Sequence, residues 1–280
     1  MQDFTGKAAF VTGGASGIGL ALGRVFAAQG MKVMLADIEA GALTAAVEDL
    51  RRTGADIRGV VCDVADPAGV DRAAQAAFAA FDRVHIVCNN AGVAAAGGID
   101  NISVDNWRWV LDVNLMGVVH GVRSFLPHIR AHGEGGHIVN TASMAGFLPG
   151  LGFSPYVASK FAVVGISEAL AVQLKPLGIG VSVLCPGFVQ THIDDSGRNR
   201  PARYGASPAI DPASPAGLLV AQIAEWVRTG LDPAEVAARV LAAIRNDELY
   251  VFTHPAFRSE VETRFSNVLA ALDKAAANPA

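Results

Sequence analysis

Short apolar runs alternate with longer stretches of helical periodicity along most of the 280-residue chain. The runs are Lys7 to Thr12, Met31 to Asp37, Ile57 to Asp63, Val84 to Asn89, His137 to Ala142 and Gly180 to Cys185. Each has the length of a strand and is apolar at most positions, the pattern of a parallel sheet covered on both faces. Helices are predicted between them: Gly17 to Gln29 ending at Gly30, and about Ala40 to Arg52 ending at Gly54. A third opens at Pro67, where the missing N–H is not needed, and a long one runs near Tyr156 to Leu174. Val104 to Ala131 also reads as mostly helical, bent or ended at Pro127. Right-handed crossovers then give an α/β fold, a Rossmann-type doubly wound parallel sheet with helices on both faces.

The pattern changes after Pro186. Asp194 to Pro215 is rich in Pro, Gly, Ser, Arg and Ala and shows no periodicity. Helical patterning returns at Ala216 to Arg228 and at Pro233 to Asn246, with Asp232 placed as an N-cap. Leu249 to Thr253 predicts a last strand and Phe257 to Leu272 a last helix, before a frayed tail at Asn278, Pro279 and Ala280. No repeat or linker divides the chain. One domain over residues 1–280 is expected, with a substrate-loop insertion at about 192–230, since long aperiodic stretches in compact domains are commonly lids or binding loops.

Composition narrows the function. Hydrophobic residues make up 51% and charged residues 17%, enough for a large core and unlike a disordered chain. A net charge of −4 without a basic run gives no footprint for nucleic acid or an anionic membrane. Apolar stretches are broken before reaching the ~18 residues of a span, and the N-terminus lacks a signal-peptide pattern. Cys62, Cys88 and Cys185 lack metal or redox spacing and read as buried free thiols, which fits a cytoplasmic location. The seven histidines are scattered, no two having metal-ligand spacing together with a carboxylate, so no metal is expected.

Between the first strand and first helix lies Thr12-Gly13-Gly14-Ala15-Ser16-Gly17-Ile18-Gly19. Glycines permit a tight turn and close approach of a pyrophosphate, and the helix N-terminus favours its negative charge. Asp37 ends the second strand, where an acid can accept the adenosine ribose hydroxyls and repel a 2′-phosphate. Ser16 and Ile38 offer that phosphate no cation, and Arg24 is placed on the outer helix face, so the cofactor predicted is NAD. Cys62-Asp63-Val64 and Asn89-Asn90-Ala91-Gly92 end the third and fourth strands at the same edge, although such residues also suit ordinary turns.

Taken with Asn114, Ser143, Tyr156-Val157-Ala158-Ser159-Lys160 and Pro186-Gly187, these motifs resemble the short-chain dehydrogenase/reductase family in identity and order, over roughly residues 5 to 190. The resemblance implies an NAD-dependent oxidoreductase that interconverts a secondary alcohol and a ketone. It implies that Asp63 and Val64 hold the adenine, that Asn90, Ala91 and Gly92 lie along the ribose, and that Val189 and Thr191 follow Pro186-Gly187 to the nicotinamide. Asn114, by the same likeness, holds a water linking Lys160 to solvent, and the two long helices and last strand build a tetramer or dimer. Arg200-Pro201-Ala202-Arg203-Tyr204-Gly205 and Leu231-Asp232-Pro233 look like the Cα-dehydrogenases of lignin-type aryl ethers.

The residues bear out the chemistry. Tyr156 and Lys160 are four apart, on one helix face. Lowering a phenol of pKa ~10 by ~3 units takes roughly 4 kcal/mol. One cation at ~4 Å in an effective dielectric near 20 supplies about that, and Lys160 is that cation, joined by an oxidised nicotinamide. Tyr156 then serves as general base in oxidation and general acid in reduction, with Ser143 orienting the substrate oxygen. Met144, Phe147, Leu148, Leu151, Phe153 and Phe188 crowd the same mouth and suggest a bulky or aromatic alcohol, with His192, Asp194 and Asp195 nearby. Ser103 reads as a helix start and Trp107 and Trp109 as packing residues. Two other functions use this sequence pattern: an NADPH-dependent ketoacyl carrier-protein reductase, and a non-catalytic dinucleotide-binding protein.

Overall fold

The computed structural model describes residues 1–277 apart from Gly98, Asn101, Leu151 and 207–209. The readings of Leu151 as a mouth residue and of 278–280 as a frayed tail lie outside the described residues. Seven strands, β1 (Ala8–Thr12), β2 (Lys32–Asp37), β3 (Ile57–Val61), β4 (Ile86–Asn89), β5 (Gly136–Thr141), β6 (Ile179–Cys185) and β7 (Tyr250–Phe252), pair in the order β3-β2-β1-β4-β5-β6-β7. Every pairing is parallel. That is why the strands read as continuous apolar runs: β1, β4 and β5 are buried at every position.

Helices α1 (Gly17–Ala28) and α2 (Ala40–Arg51) cover one face. They are joined there by α8 (Pro233–Asn246), through Leu22, Phe26, Leu43, Leu50, Val236 and Val240. On the other face lie α3 (Pro67–Phe81), α4 (Val104–Leu111), α5 (Gly117–His132) and α6 (Ser154–Leu174), through Val70, Ala73, Trp109, Phe125, Ile129 and Leu174. The chain winds outward from β1 to β3 and then returns to start again at β4. The strand order therefore reverses between β1 and β4, and a crevice opens there at the carboxyl edge.

Three sequence expectations needed revision or refinement. The 104–131 segment is helical as expected, but a π-helical turn, Asp112–Met116, interrupts it between α4 and α5. Pro127 neither ends α5 nor marks its boundary, which falls at Gly133 in the left-handed region. Phe125 and Ile129, fully buried on either side of it, hold the helix through the lost hydrogen bond. The third revision concerns apolar length. Ser154–Leu177 has a mean hydropathy of 1.4 and is long and apolar enough to cross a membrane by length and composition. Its Val163, Val164, Ser167 and Leu174 are buried, and a third of the apolar window is buried inside the protein.

The segment after β6 is irregular but structured, with 3₁₀ turns at Ile193–Asn199 and Ala202–Tyr204 before α7 (Pro215–Arg228). Asp232 caps α8, its carboxylate accepting from Ala234 N at 2.8 Å. The last helix, α9 (Arg258–Ala277), buries none of its residues. All three cysteines are buried free thiols, and burial pushes Cys62 to about 11 and Cys185 to about 12.

Candidate active site

The turn from Gly13 to Gly19 is shaped by contacts that exclude side chains. A Cβ on Gly19 would lie 2.0 Å from the Gly13 carbonyl oxygen. Gly17 has φ +51°, and a Cβ there would meet Thr191 at 2.9 Å. Ser16 sits at the N-cap of α1 without capping it through its side chain, leaving the first N–H groups of the helix available to an anion. Asp37 is buried at the end of β2, accepting from Ala15 N at 2.9 Å and from Glu39 N at 3.0 Å. Thr12 Oγ1 accepts from Asn90 N at 2.9 Å and Ala91 N at 3.0 Å, binding the end of β1 to the end of β4. The Asn90 amide completes this frame, donating to Thr12 O and accepting from Thr141 Oγ1.

Across the switch point, three elements bring the polar groups together. Ser143 follows β5, donates to Pro186 O at 3.3 Å and accepts from Ala145 N at 3.1 Å. Tyr156 and Lys160 stand one turn apart on α6, the Lys160 Nζ lying 5.4 Å from the Tyr156 ring centre. Lys160 is 3% exposed and donates to Thr141 O at 2.8 Å. Burial lowers its pKa to about 8. Burial also raises the Tyr156 phenol, with the Ser143 hydroxyl acting in the opposite sense. The charge arithmetic anticipated a lowered phenol. With the protein's own groups alone the desolvation of the phenol outweighs the hydrogen bond from Ser143.

Asn114 lies in the π-helical turn. Its Oδ1 accepts from Val93 N at 2.8 Å, and its Nδ2 donates to Val93 O at 2.9 Å and Ser159 Oγ at 3.1 Å. A wide turn of this type shifts the helix register by one residue and recurs at functional sites. Here it aims Asn114 at the strand end and at α6 rather than along a regular helix face.

These groups line a single cavity of about 1230 Å³ at the carboxyl edge. It takes in the predicted Gly13, Ser16, Gly17, Ile18, Asp37, Asp63, Val64, Asn90, Ala91, Gly92, Ser143, Tyr156, Lys160, Pro186, Gly187, Val189 and Thr191. Gly19 and Asn114 are absent from the lining and stand behind it. Met144, Leu148, Phe153 and Phe188 form part of the wall, together with His192, Asp194 and Asp195. Phe147 does not, for it packs edge-on against Tyr250 and Phe252. Sequence reasoning missed Glu39, Arg198 and Asn199 at one end and Ile223 and Trp226 of α7 at the other. The apolar periodicity of α7 was legible, but its placement over the mouth was not. Trp226 meets Phe188 with ring centres 4.9 Å apart.

One cluster lies away from this cavity. At the opposite edge of the sheet His85, His132 and Glu134 bring their side-chain donor atoms within 4.8 Å of one another, a grouping that the scattered sequence positions did not reveal. His85 Nε2 pairs with Glu134 Oε2 at 2.9 Å, and its Nδ1 accepts from Ala8 N at 3.3 Å. Both His132 nitrogens meet backbone, at Val84 O and Glu134 N. All four imidazole nitrogens are thus engaged by protein groups.

Comparison with known proteins bears on this arrangement. The family model described as short chain dehydrogenase matches residues 7–201. A Sphingobium protein named C alpha-dehydrogenase is 34% identical over 270 residues, covering 96% of this chain and 87% of its own. The 1-deoxy-11-beta-hydroxypentalenate dehydrogenase of Streptomyces avermitilis is 36% identical, covering 93% and 89%. A crystal structure of a short chain dehydrogenase/reductase from Burkholderia phymatum in complex with NAD superposes with a TM-score of 0.93 at 41% identity, covering 97% of each chain. With its glycine turn, its strand order and its paired Tyr156 and Lys160 all on one cavity, the chain belongs to the short-chain dehydrogenase family and is an oxidoreductase.

Proposed function

We propose that the protein is an NAD-dependent dehydrogenase that interconverts a secondary alcohol and a ketone, with Asn114, Ser143, Tyr156 and Lys160 as its catalytic set. One observation carries the reading: Ser143, Tyr156 and Lys160 share a cavity with a glycine turn whose Cβ positions are occupied and with a buried Asp37. The turn fits a pyrophosphate, because its backbone is bare and the α1 N-terminus is uncapped by a side chain. Asp37 would hold the adenosine ribose, Asp63 and Val64 the adenine, and Thr191 the nicotinamide amide. NAD, when bound, supplies the acceptor for the hydride of the carbinol carbon.

The chain's own groups handle the proton. Ser143 donates a hydrogen bond to the substrate oxygen and fixes its position. Tyr156 Oη takes the hydroxyl proton during oxidation and returns it during reduction. Lys160 favours the phenolate through its charge. Asn114 positions the strand end and Ser159 beside that helix face. A ketoacyl carrier-protein reductase using NADPH is the less favoured reading, since Asp37 disfavours a 2′-phosphate.

The segment at about 192–230 covers the substrate. Ile223 and Trp226 of its α7 line the same cavity as Met144, Leu148 and Phe153, which supports a bulky or aromatic alcohol. The name of the Sphingobium relative supports it as well. We further assign the protein to the cytoplasm as a homo-oligomer. The unpaired thiols support the first. Exposed Val172, Phe265, Val268, Leu269 and Leu272 support the second.

The test is direct. With NAD and a panel of 1-phenyl and short aliphatic secondary alcohols, the phenyl substrates should turn over faster. Tyr156→Phe should retain NADH binding while turnover falls by about 10²–10⁴-fold, the usual scale of a lost proton-transfer group. Near-normal oxidation by that variant defeats the mechanism.

A further inference from the structure

The segment that follows β6 does more than reach the substrate mouth. It runs back along the whole cavity toward the opposite end of the sheet. Between Cys185 at the end of β6 and Arg203 beside Asp63, it passes five strand positions, from β6 to β3. At roughly 4.8 Å per strand this spans about 24 Å. Side-chain tethers hold it down along the way. Thr191 rests against Gly17, where a Cβ would meet it at 2.9 Å. Ser196, buried, accepts from Ala94 N at 3.1 Å and donates to Ile193 O at 2.5 Å.

The tethers at the far end are ionic. Arg198 Nη2 and Asn199 Nδ2 both donate to Glu39 Oε1, at 2.9 Å and 2.8 Å. These two contacts, Asn199 foremost, hold the Glu39 carboxyl below its usual range. Arg198 Nε also donates to Glu39 Oε1, at 3.2 Å, and its Nη1 donates to the carbonyls of His192 and Asp195, each at 2.8 Å. Arg203 donates to Asp63 Oδ2 at 2.6 Å. Glu39 and Asp63 stand just beyond the ends of β2 and β3, the end of the cavity opposite Tyr156.

The 200–205 stretch, which carried the weaker subfamily likeness, anchors this end. Arg200 lies over the Trp109 ring at 5.0 Å and donates to Asn106 Oδ1 at 2.7 Å. Tyr204 is buried and donates to Asp112 Oδ2 at 2.9 Å. Arg200 and Tyr204 therefore fasten the strap to α4 and to the π-helical turn. Arg198 and Arg203 clip it to the two acids across the cleft.

We propose that residues 191–204 form a retaining strap over the dinucleotide, and that the Arg198–Glu39 and Arg203–Asp63 pairs are its release clips, setting how fast reduced cofactor leaves. The proposal rests on the NAD reading given above. A dinucleotide that spans from Tyr156 to Asp37 has the strap along its open side, so leaving requires the strap to lift. The clips suit reversible opening: their side chains are 28% and 31% exposed in the first pair and 48% and 22% in the second. Pairs this exposed are weak singly and sensitive to salt. The insertion then has two jobs, with residues 191–204 retaining cofactor and α7 roofing the alcohol.

The experiment measures NADH dissociation by stopped-flow fluorescence in the full-length protein. Arg198→Gln with Arg203→Gln should raise the dissociation rate about tenfold, which corresponds to about 1.4 kcal/mol. The double Arg→Lys variant, which keeps the charges, should stay within about threefold of the natural protein. Raising salt from about 0.05 to 0.5 M should speed release from the natural protein and leave the double Gln variant nearly unchanged, because only the former has clips to screen. Circular dichroism and thermal melts check that both variants fold. A dissociation rate within about twofold of the natural protein in the double Gln variant overturns the strap. Failure of the natural protein to bind NADH at all would overturn the cofactor reading and the strap with it, whereas tight binding with unchanged release removes the strap alone.

Discussion

His137 and Lys160 belong to opposite ends of one strand. His137 is the second residue of β5, and Lys160 donates to the carbonyl of Thr141, the last. Both are at least 97% buried, and burial lowers both pKa values, to about 4 for the imidazole and about 8 for the ammonium. Their surroundings differ. His137 Nε2 lies 2.8 Å from Ser182 Oγ, which itself donates to Glu248 O, so the imidazole supplies the proton of that bond. A Cβ on Gly180 would come within 2.3 Å of His137 Nδ1, so the ring is tightly enclosed. Lys160 instead borders the cavity beside Tyr156 and Ser143. A displaced pKa thus marks burial at either end, and chemistry only at the end where a reactant has room.

The sharpest way to break this comparison is to mutate both. Lys160→Met should lower kcat by about 10²–10⁴-fold, because the phenol loses the charge that favours its ionised form. His137→Gln should leave kcat within about twofold, measured on the same alcohol at saturating NAD. A comparable loss in both variants would mean that the amino edge governs catalysis through the strand.

A smaller effect separates the two ends of the cavity. Asp37→Ala should raise KM for NAD by about 10–100-fold, the scale of losing a charged hydrogen-bonding group of about 1.5–3 kcal/mol. It should also narrow the preference over NADP while the kcat with NAD changes little. Initial rates with both cofactors provide the check. Unchanged discrimination would place cofactor choice elsewhere in the cleft.

The smallest effect concerns stability. The His137 pKa is lowered from about 6.5 unfolded to about 4 folded, so the unfolded chain binds more protons between those values. Stability from this residue is therefore complete above about pH 6.5 and falls as pH drops toward 4, by roughly 3 kcal/mol. Urea titrations at pH 7 and 5 should show a shallower loss in His137→Gln than in the natural protein. Parallel losses would show that the imidazole is not a source of acid sensitivity.

Much of the carboxyl-edge site was legible because its parts are local. A glycine turn, an acid at a strand end and a Tyr/Lys pair four apart each occupy a few consecutive residues, and each sits beside a recognisable strand or helix. The π-helical turn was not legible, since Asp112 to Met116 carries the same apolar spacing as the helices around it. Phe147 read as a mouth residue because composition gives no direction; the strand β7, over a hundred residues later, turned it aside. The His85, His132 and Glu134 cluster was hidden for the same reason, since two of its members leave one element and the third begins another strand's approach.

The sequence by itself determined the layered α/β architecture, the identity of the turn that suits a dinucleotide, and the spacing that sets Tyr156 and Lys160 one turn apart. These depend on backbone preference and on hydrophobic period, which act over a few residues. Only the tertiary structure decided that Arg198 meets Glu39 and Arg203 meets Asp63, contacts that close 159 and 140 residues of chain. It also decided that burial raises the phenol of Tyr156, against the hydrogen bond with Ser143. Ion pairs and desolvation depend on distance and burial in space, and neither quantity exists until the sheet has brought its strand ends to one edge.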